Sequence, residues 1–213
     1  MMRRRSLTLI EVAIAAAILA LVLGISLGAS LSASASNAAL LATAELDQTG
    51  RRLFAQLRRE LHQSGTDATS GTDRVESPAS GASADLTAGD ALTFQTRIAI
   101  GSADPEDDWG ADPSHPKQKV RYRLVADGQV TGVEGGPYPR YRLVRERLDA
   151  ANNVLETVRV CTHITEFRVT RDAGSRTVLL EVRFTRQNTQ WRTGTPPDPI
   201  HREFRERIAL LNG

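Results

Sequence analysis

Few side chains in this sequence combine the type and spacing that chemistry requires. The one acid placed where an acid is costly is Glu11. It stands inside the run Leu7 to Leu31, LTLIEVAIAAAILALVLGISLGASL, which otherwise carries no charge and no proline. An acidic side chain at the centre of a membrane helix costs roughly 2.5–3.5 kcal/mol on insertion scales, less near its end, and such a residue points to a function and a partner. A free α-amino group is a partner that fits. Cleavage between Ser6 and Leu7 would create one and would make Glu11 the fifth residue of the shortened chain.

The remaining reactive groups are scattered. Cys161 is the single cysteine, so no disulfide can form within the chain. His163 lies two residues on and would share its face on a strand, but two ligands do not make a metal centre, and a packed cysteine is the expectation. The other histidines, His62, His115 and His201, stand apart in sequence. Asp104, Glu106, Asp107, Asp108 and Asp112 crowd into one loop-like segment. Oxygen-rich loops hold calcium, yet the EF-hand spacing is absent, so calcium is a weaker expectation than a solvated acidic loop. The sequence contains no G-x-S-x-G, P-loop or C-x-x-C pattern. The expectation is a protein that is not an enzyme and needs no cofactor.

Composition narrows the field further. The chain has 213 residues and a net charge of +2, too little to demand a nucleic-acid partner. Aromatic residues make up only 5%, which argues against a base-stacking platform. Mean hydropathy is −0.29, a soluble average that conceals the one apolar segment. That segment is long enough to span a bilayer as a helix. Arg3, Arg4 and Arg5 precede it, so the positive-inside rule leaves its start in the cytoplasm and the rest outside. A cleaved secretory signal, ending near Ala33-Ser34-Ala35, and a plain signal anchor are the competing readings. Signal h-regions run about 7–15 residues, and neither alternative explains Glu11.

Positioning elements follow the apolar run. Ala39, Leu40, Ala42, Leu46, Leu53, Leu57 and Leu61 recur at helical spacing, with Arg51, Arg52, Arg58, Arg59 and Glu60 on the other faces. One helix is expected from about Leu7 to about Gln63, on the order of 85 Å at 1.5 Å per residue. Gly50 allows a bend in it. Residues 64–90 are rich in Ser, Thr, Gly, Ala and Asp and read as loop. Strand-like alternation then marks Ala91 to Ile100, Val120 to Leu124, Tyr138 to Leu148, Val154 to Val160, Thr165 to Thr170, Val178 to Phe184 and Phe204 to Leu210. Turn signals at Asp127-Gly128, Asn152-Asn153 and Ala173-Gly174 favour antiparallel connections, and Thr193 to Pro199 reads as an exposed loop. The fold class expected is α+β, a long N-terminal helix packed on an antiparallel sheet.

The stretch Ser6-Leu7-Thr8-Leu9-Ile10-Glu11-Val12 resembles the prepilin cleavage and methylation motif. Ser6 stands where that family usually has glycine, and Leu7 where it usually has phenylalanine. Thr8, Leu9, Ile10 and Glu11 match. The resemblance implies cleavage after Ser6 by a prepilin peptidase, N-methylation of Leu7, and a Glu11 that neutralises a neighbouring subunit's N-terminus. The run RRLFAQLRRELHQSG and the succession VRYRLV, LVRERLD, VCTHITEFRVT, VLLEVRFT are similar to J-type minor pseudopilins of type II secretion and W-type minor pilins. The likeness implies a pilin-like fold with a leader 1–6, a transmembrane half-helix 7–31, an amphipathic half-helix 32–63, a variable loop 64–90 and a sheet domain 91–213. It also implies a single-pass protein of the bacterial inner membrane with its sheet domain periplasmic or extracellular. Its partners would be other pilin or pseudopilin subunits, the prepilin peptidase and an inner-membrane assembly platform. The leading expectation is a minor pseudopilin acting in tip assembly. The alternatives are a minor type IV pilin, in adhesion, motility or DNA uptake, and a signal-anchored binding domain or enzyme.

Overall fold

The computed structural model describes residues 9–64, 74–95, 119–130, 137–149, 151–174, 176–187 and 198–210. One helix, α1, covers Leu9–Ser64. The chain divides into two compact units at Ala42/Thr43, and each is described by itself.

The second unit joins the last turns of α1 to an antiparallel sheet. Its strands are β1 (Val75–Ser77), β2 (Ser83–Asp85), β3 (Ala91–Gln95), β4 (Lys119–Val130), β5 (Tyr138–Leu148), β6 (Val154–Arg171), β7 (Thr177–Arg186) and β8 (Ile200–Ala209). Their order is β1-β3-β4-β5-β6-β7-β8, with β2 paired to β6. The result is the expected α+β arrangement, a helix packed against a curled antiparallel sheet. On α1, Leu46, Leu53, Phe54, Leu57 and Leu61 are at most 5% exposed. Their spacing puts them on one stripe. Leu92, Phe94, Val120, Tyr122, Leu143, Ile164, Phe167, Leu180, Val182 and Phe184 meet that stripe in a single core. Each large apolar side chain so buried contributes about 1.5–3 kcal/mol.

Several expectations are corrected. The covered stripe starts at Leu46; Leu40 and Leu41 remain 66% and 71% exposed. Phe54, not counted in the leucine pattern, belongs to the core. The helix passes through Gly50 without a break, and the glycine has a packing reason. A Cβ there would stand 2.3–2.7 Å from ring carbons of Phe204. Residues 74–90 carry short elements within the expected loop: β1 pairs with β3, β2 pairs with β6, and a short 3-10 turn, Leu86–Ala88, lies between β2 and β3. Arg171, 3% exposed, fastens this corner by donating from Nη1 to the Val75 and Pro78 carbonyls at 3.1 and 3.2 Å.

Asp127-Gly128 does not end a strand. Ala126 pairs with Tyr141 and Gln129 with Pro139, so β4 carries one extra residue, and Gly128 takes φ 95. That is a β-bulge using glycine's left-handed freedom. The gap read between Val160 and Thr165 is also continuous strand. In β6 the register slips against β5 between Arg159 and Cys161 and again between Cys161 and Ile164, and against β7 between Ile164 and Glu166. Asn152 and Gly174 do lie in the turns expected of them, with φ 67 and 69.

Polar contacts lock the helix to the sheet. Tyr122, fully buried, donates to Glu60 Oε2 at 2.9 Å and accepts from Gln56 Nε2 at 3.0 Å. Arg145 Nε reaches Glu60 Oε1 at 3.0 Å. Burial pushes the Tyr122 phenol above its ordinary 10.0, and the Glu60 carboxylate beside it adds to the effect, against a smaller opposing pull from Arg145. On β5, Glu146 is 1% exposed, and each carboxylate oxygen takes one arginine: Arg121 Nε at 2.7 Å and Arg123 Nε at 2.8 Å. A buried carboxylate needs such full satisfaction.

Two outcomes follow from this packing. Gly50→Ala should destabilise the domain by about 1–3 kcal/mol, the usual cost of overpacking, despite alanine's helix preference of about 1 kcal/mol. Gly50→Ala/Phe204→Leu should recover much of that loss in urea denaturation of the chain. Tyr122 holds its proton more tightly folded than unfolded, so its contribution is complete below pH 10 and falls as pH rises further. Tyr122→Phe should remove up to about 1.4 kcal/mol per pH unit from the alkaline decline in stability.

Candidate functional site

The first unit offers a surface rather than a cleft. From Leu9 to Leu31 the helix is mostly Ala, Leu, Ile and Val, with Glu11 its one charge and Ser26 and Ser30 its hydroxyls, too few to make a polar face. Between Leu9 and Leu31, twelve large apolar side chains are 51–90% exposed. They surround the helix; Ile14, Ile18, Val22 and Ile25 mark one side and Val12, Leu19, Leu23 and Leu27 others. The most apolar 18 residues average a hydropathy of 2.6, and none is buried among the described residues. A helix that is apolar all round belongs inside a protein core or a membrane. This one is long and apolar enough to cross a bilayer.

Glu11 is the acid of the first helical turn. Leu9 and Ile10 occupy the same turn and are 90% and 68% exposed. Ser6, Leu7 and Thr8 lie outside the described residues, so the structure places only the second part of the motif. Twelve large apolar side chains, at roughly 0.3–0.6 kcal/mol each on insertion scales, outweigh the roughly 2.5–3.5 kcal/mol upper cost of one acid. Glu11 therefore does not forbid the span.

The other candidates come apart. Cys161 is buried in the core, and burial pushes its thiol up to about 12. It is a packed, weakly nucleophilic cysteine. The slips in β6 around it break the alternation that would have set it beside His163, which takes φ 67 in the bulge. Burial lowers the His163 pKa, and the Arg140 and Arg186 charges lower it further. Among the described residues no cluster of three or more His, Cys, Asp or Glu is placed to hold a metal. The segment Asp104–Asp112 and His115 lie outside those residues, as does 193–197 of the proline-rich stretch.

One groove of about 380 Å³ crosses β6, β7 and β8. Its charged side chains answer one another: Arg183 pairs with Glu166 and Glu203, and Arg205 Nε with Glu181 at 3.0 Å. The pairs form a ladder of cross-strand contacts. Thr185 Oγ1 lies 2.8 Å from His201 Nδ1 and 2.9 Å from Thr165 Oγ1. Thr185 is fully buried, so this hydroxyl chain serves to satisfy polar groups between strands.

No family model, no curated protein and no solved structure matches this chain. What the geometry itself establishes is a single N-terminal helix able to span a membrane and a helix-on-sheet domain compatible with a pilin-like layout. Sequence reasoning missed the role of Gly50 and Phe54. The i, i+7, i+8 spacing of Leu46, Leu53 and Phe54 carried the signal for the phenylalanine.

Proposed function

We propose that this chain is a minor subunit of a pilin-like filament, nearest in kind to the J-type pseudopilins of type II secretion. One observation carries the reading. A single carboxylate, Glu11, interrupts a helix that is otherwise apolar on every side and exposed along its length, and that helix runs on into the stem of a sheet domain. A plain anchor needs the apolar surface and not the acid.

On this reading the helix is held by lipid first and by neighbouring helices after assembly. The transfer replaces lipid contacts with helix contacts, so packing and polar pairs decide its direction rather than hydrophobic burial. Cleavage after Ser6 exposes the amine of Leu7. Glu11 of one subunit meets the corresponding amine of another, and the attraction in low dielectric favours one axial register. The task is mechanical and templating: no bond is made or broken in the sheet domain. A W-type minor pilin of a type IV pilus would use the same parts.

Two measurements test this. Mass spectrometry of the membrane-extracted protein should find Leu7 at the N-terminus, about 14 Da heavy from one methyl group. An intact Met1 or a start near Ser36 would reject it. Separately, Glu11→Ala should insert into membrane as the parent does but enter filaments at least about tenfold less, a difference of ~1.4 kcal/mol. Normal assembly of that variant would remove Glu11 from the mechanism.

A further inference from the structure

Strand β6 joins the two sides of the sheet. Up to Ile164 it pairs with β5, and from Ile164 onward with β7; Ile164 alone faces a residue of each, Tyr141 and Phe184. Cys161 and Ile164 stand opposite Leu143 and Tyr141, so Thr162 and His163 share the one place across from Arg142. That is a bulge. His163 takes φ 67 in it, a backbone that few residues other than glycine adopt.

The His163 ring is half-buried, and its Nδ1 is buried without a hydrogen-bond partner among the described residues. His201 differs: its Nδ1 lies 2.8 Å from Thr185 Oγ1. Charges act on His163 from four elements, Glu45 of α1, Asp127 of β4, Arg140 of β5 and Arg186 of β7. Arg142, across the bulge on β5, is exposed. Both acids are already engaged. Arg186 pairs with Glu45. Arg140 donates from Nε and Nη2 to the Asp127 carbonyl at 2.9 and 2.7 Å, and its Nε lies 3.6 Å from Asp127 Oδ2. These two cations and two anions cancel around a neutral ring. A neutral imidazole can leave Nδ1 as a bare lone pair, whereas an imidazolium carries a proton on both nitrogens. Its Nδ1 would be a charged donor buried without an acceptor, the costlier omission. Burial and the two arginines hold the His163 pKa below its ordinary 6.5, against an opposing pull from the two acids.

We propose that His163 makes the joint in β6 acid-sensitive. Neutral, it leaves Glu45 and Asp127 to their arginines, and the two sides of the sheet stay joined. Protonated, it competes for those acids, and the joint opens. The proton therefore acts on the Glu45–Arg186 contact between stem and sheet as well as on the strand. The device lies wholly in the second unit and does not depend on assembly. His163 binds its proton less tightly folded than unfolded, so its contribution to stability is complete above pH 6.5 and is lost as pH falls from there through the folded pKa.

Hydrogen exchange of the full-length chain in detergent micelles, at pH 7.5 and 5.5, tests this. Protection factors of the amides from Val160 to Glu166 should fall about three- to tenfold on acidification, since one linked proton is worth at most about tenfold per pH unit. Those of Leu92 to Phe94 in β3 should hold. His163→Asn tolerates φ > 0 and does not titrate, so its β6 protection should hold at both pH values; His62→Gln should behave as the parent. Equal loss along the whole sheet, or the same loss in His163→Asn, would overturn the device. A direct titration stands whether or not that variant folds. Of the four histidine Cε1 resonances of the isotope-labelled chain, His62→Gln, His115→Gln and His201→Gln assign three. The fourth should titrate below 6.5, and a midpoint at or above that value would equally reject the proposal.

Discussion

A single helix carries two surfaces that ask for different surroundings. Between Leu46 and Leu61 its apolar side chains keep to one stripe, and the sheet covers them almost completely. Between Leu9 and Leu31 they go all the way round, and nothing among the described residues covers them. The free energy of apolar exposure is the same kind of quantity in both places, on the order of 25 cal/mol per Å². In the stem it is relieved by folding. In the first unit no described residue relieves it, and a bilayer is a surrounding that would.

Apolar burial alone would hold the stem loosely in register. Leucines at i, i+4 and i+7 look alike after a slip of one turn, about 5.4 Å. The polar contacts remove that freedom. Glu60 is fixed from two strands at once, by Tyr122 on β4 and Arg145 on β5. Asp47 with Arg202 and Arg58 with Glu206 repeat the match on β8. The exposed pairs are each worth about 0–1 kcal/mol, so their value lies in what they forbid. Gly50 adds a steric mark of the same kind, since only a residue without Cβ admits the Phe204 ring beside the helix.

The helix and its packing partner were legible because burial leaves a period in sequence. Tyr138–Leu148 and Val178 to Phe184 are strands where alternation placed them. The misreadings share a cause: residues whose conformation is set by a neighbour distant in sequence. Asp127-Gly128 has the composition of a hairpin turn, yet pairing with Pro139 and Tyr141 makes it a bulge. Val160 to Thr165 loses alternation because β6 must change partners, β5 on one side and β7 on the other. Residues 75–85 look like loop because their strands are three residues long and are held by Phe94, Val169 and the buried Arg171. Gly50 reads as a weak point until Phe204, far along the chain, is placed against it. Of the motif around Glu11, position and charge are visible in the sequence, and the structure adds that Glu11 is an exposed residue of α1.

The same logic extends to the proposed filament. Helices that are apolar on every side attract one another without preferring any axial offset, and lipid satisfies them nearly as well. A charge placed once in such a surface is unfavourable in every arrangement except those that supply its counterpart. Glu11 is then to the first unit what Glu60 is to the stem: a sparse polar contact that selects one register from a set the apolar surface leaves almost degenerate. The difference lies in where the counterpart resides. For Glu60 it is Arg145 of the same chain, which makes a fold; for Glu11, on the filament reading, it is the amine of another chain, which makes an assembly.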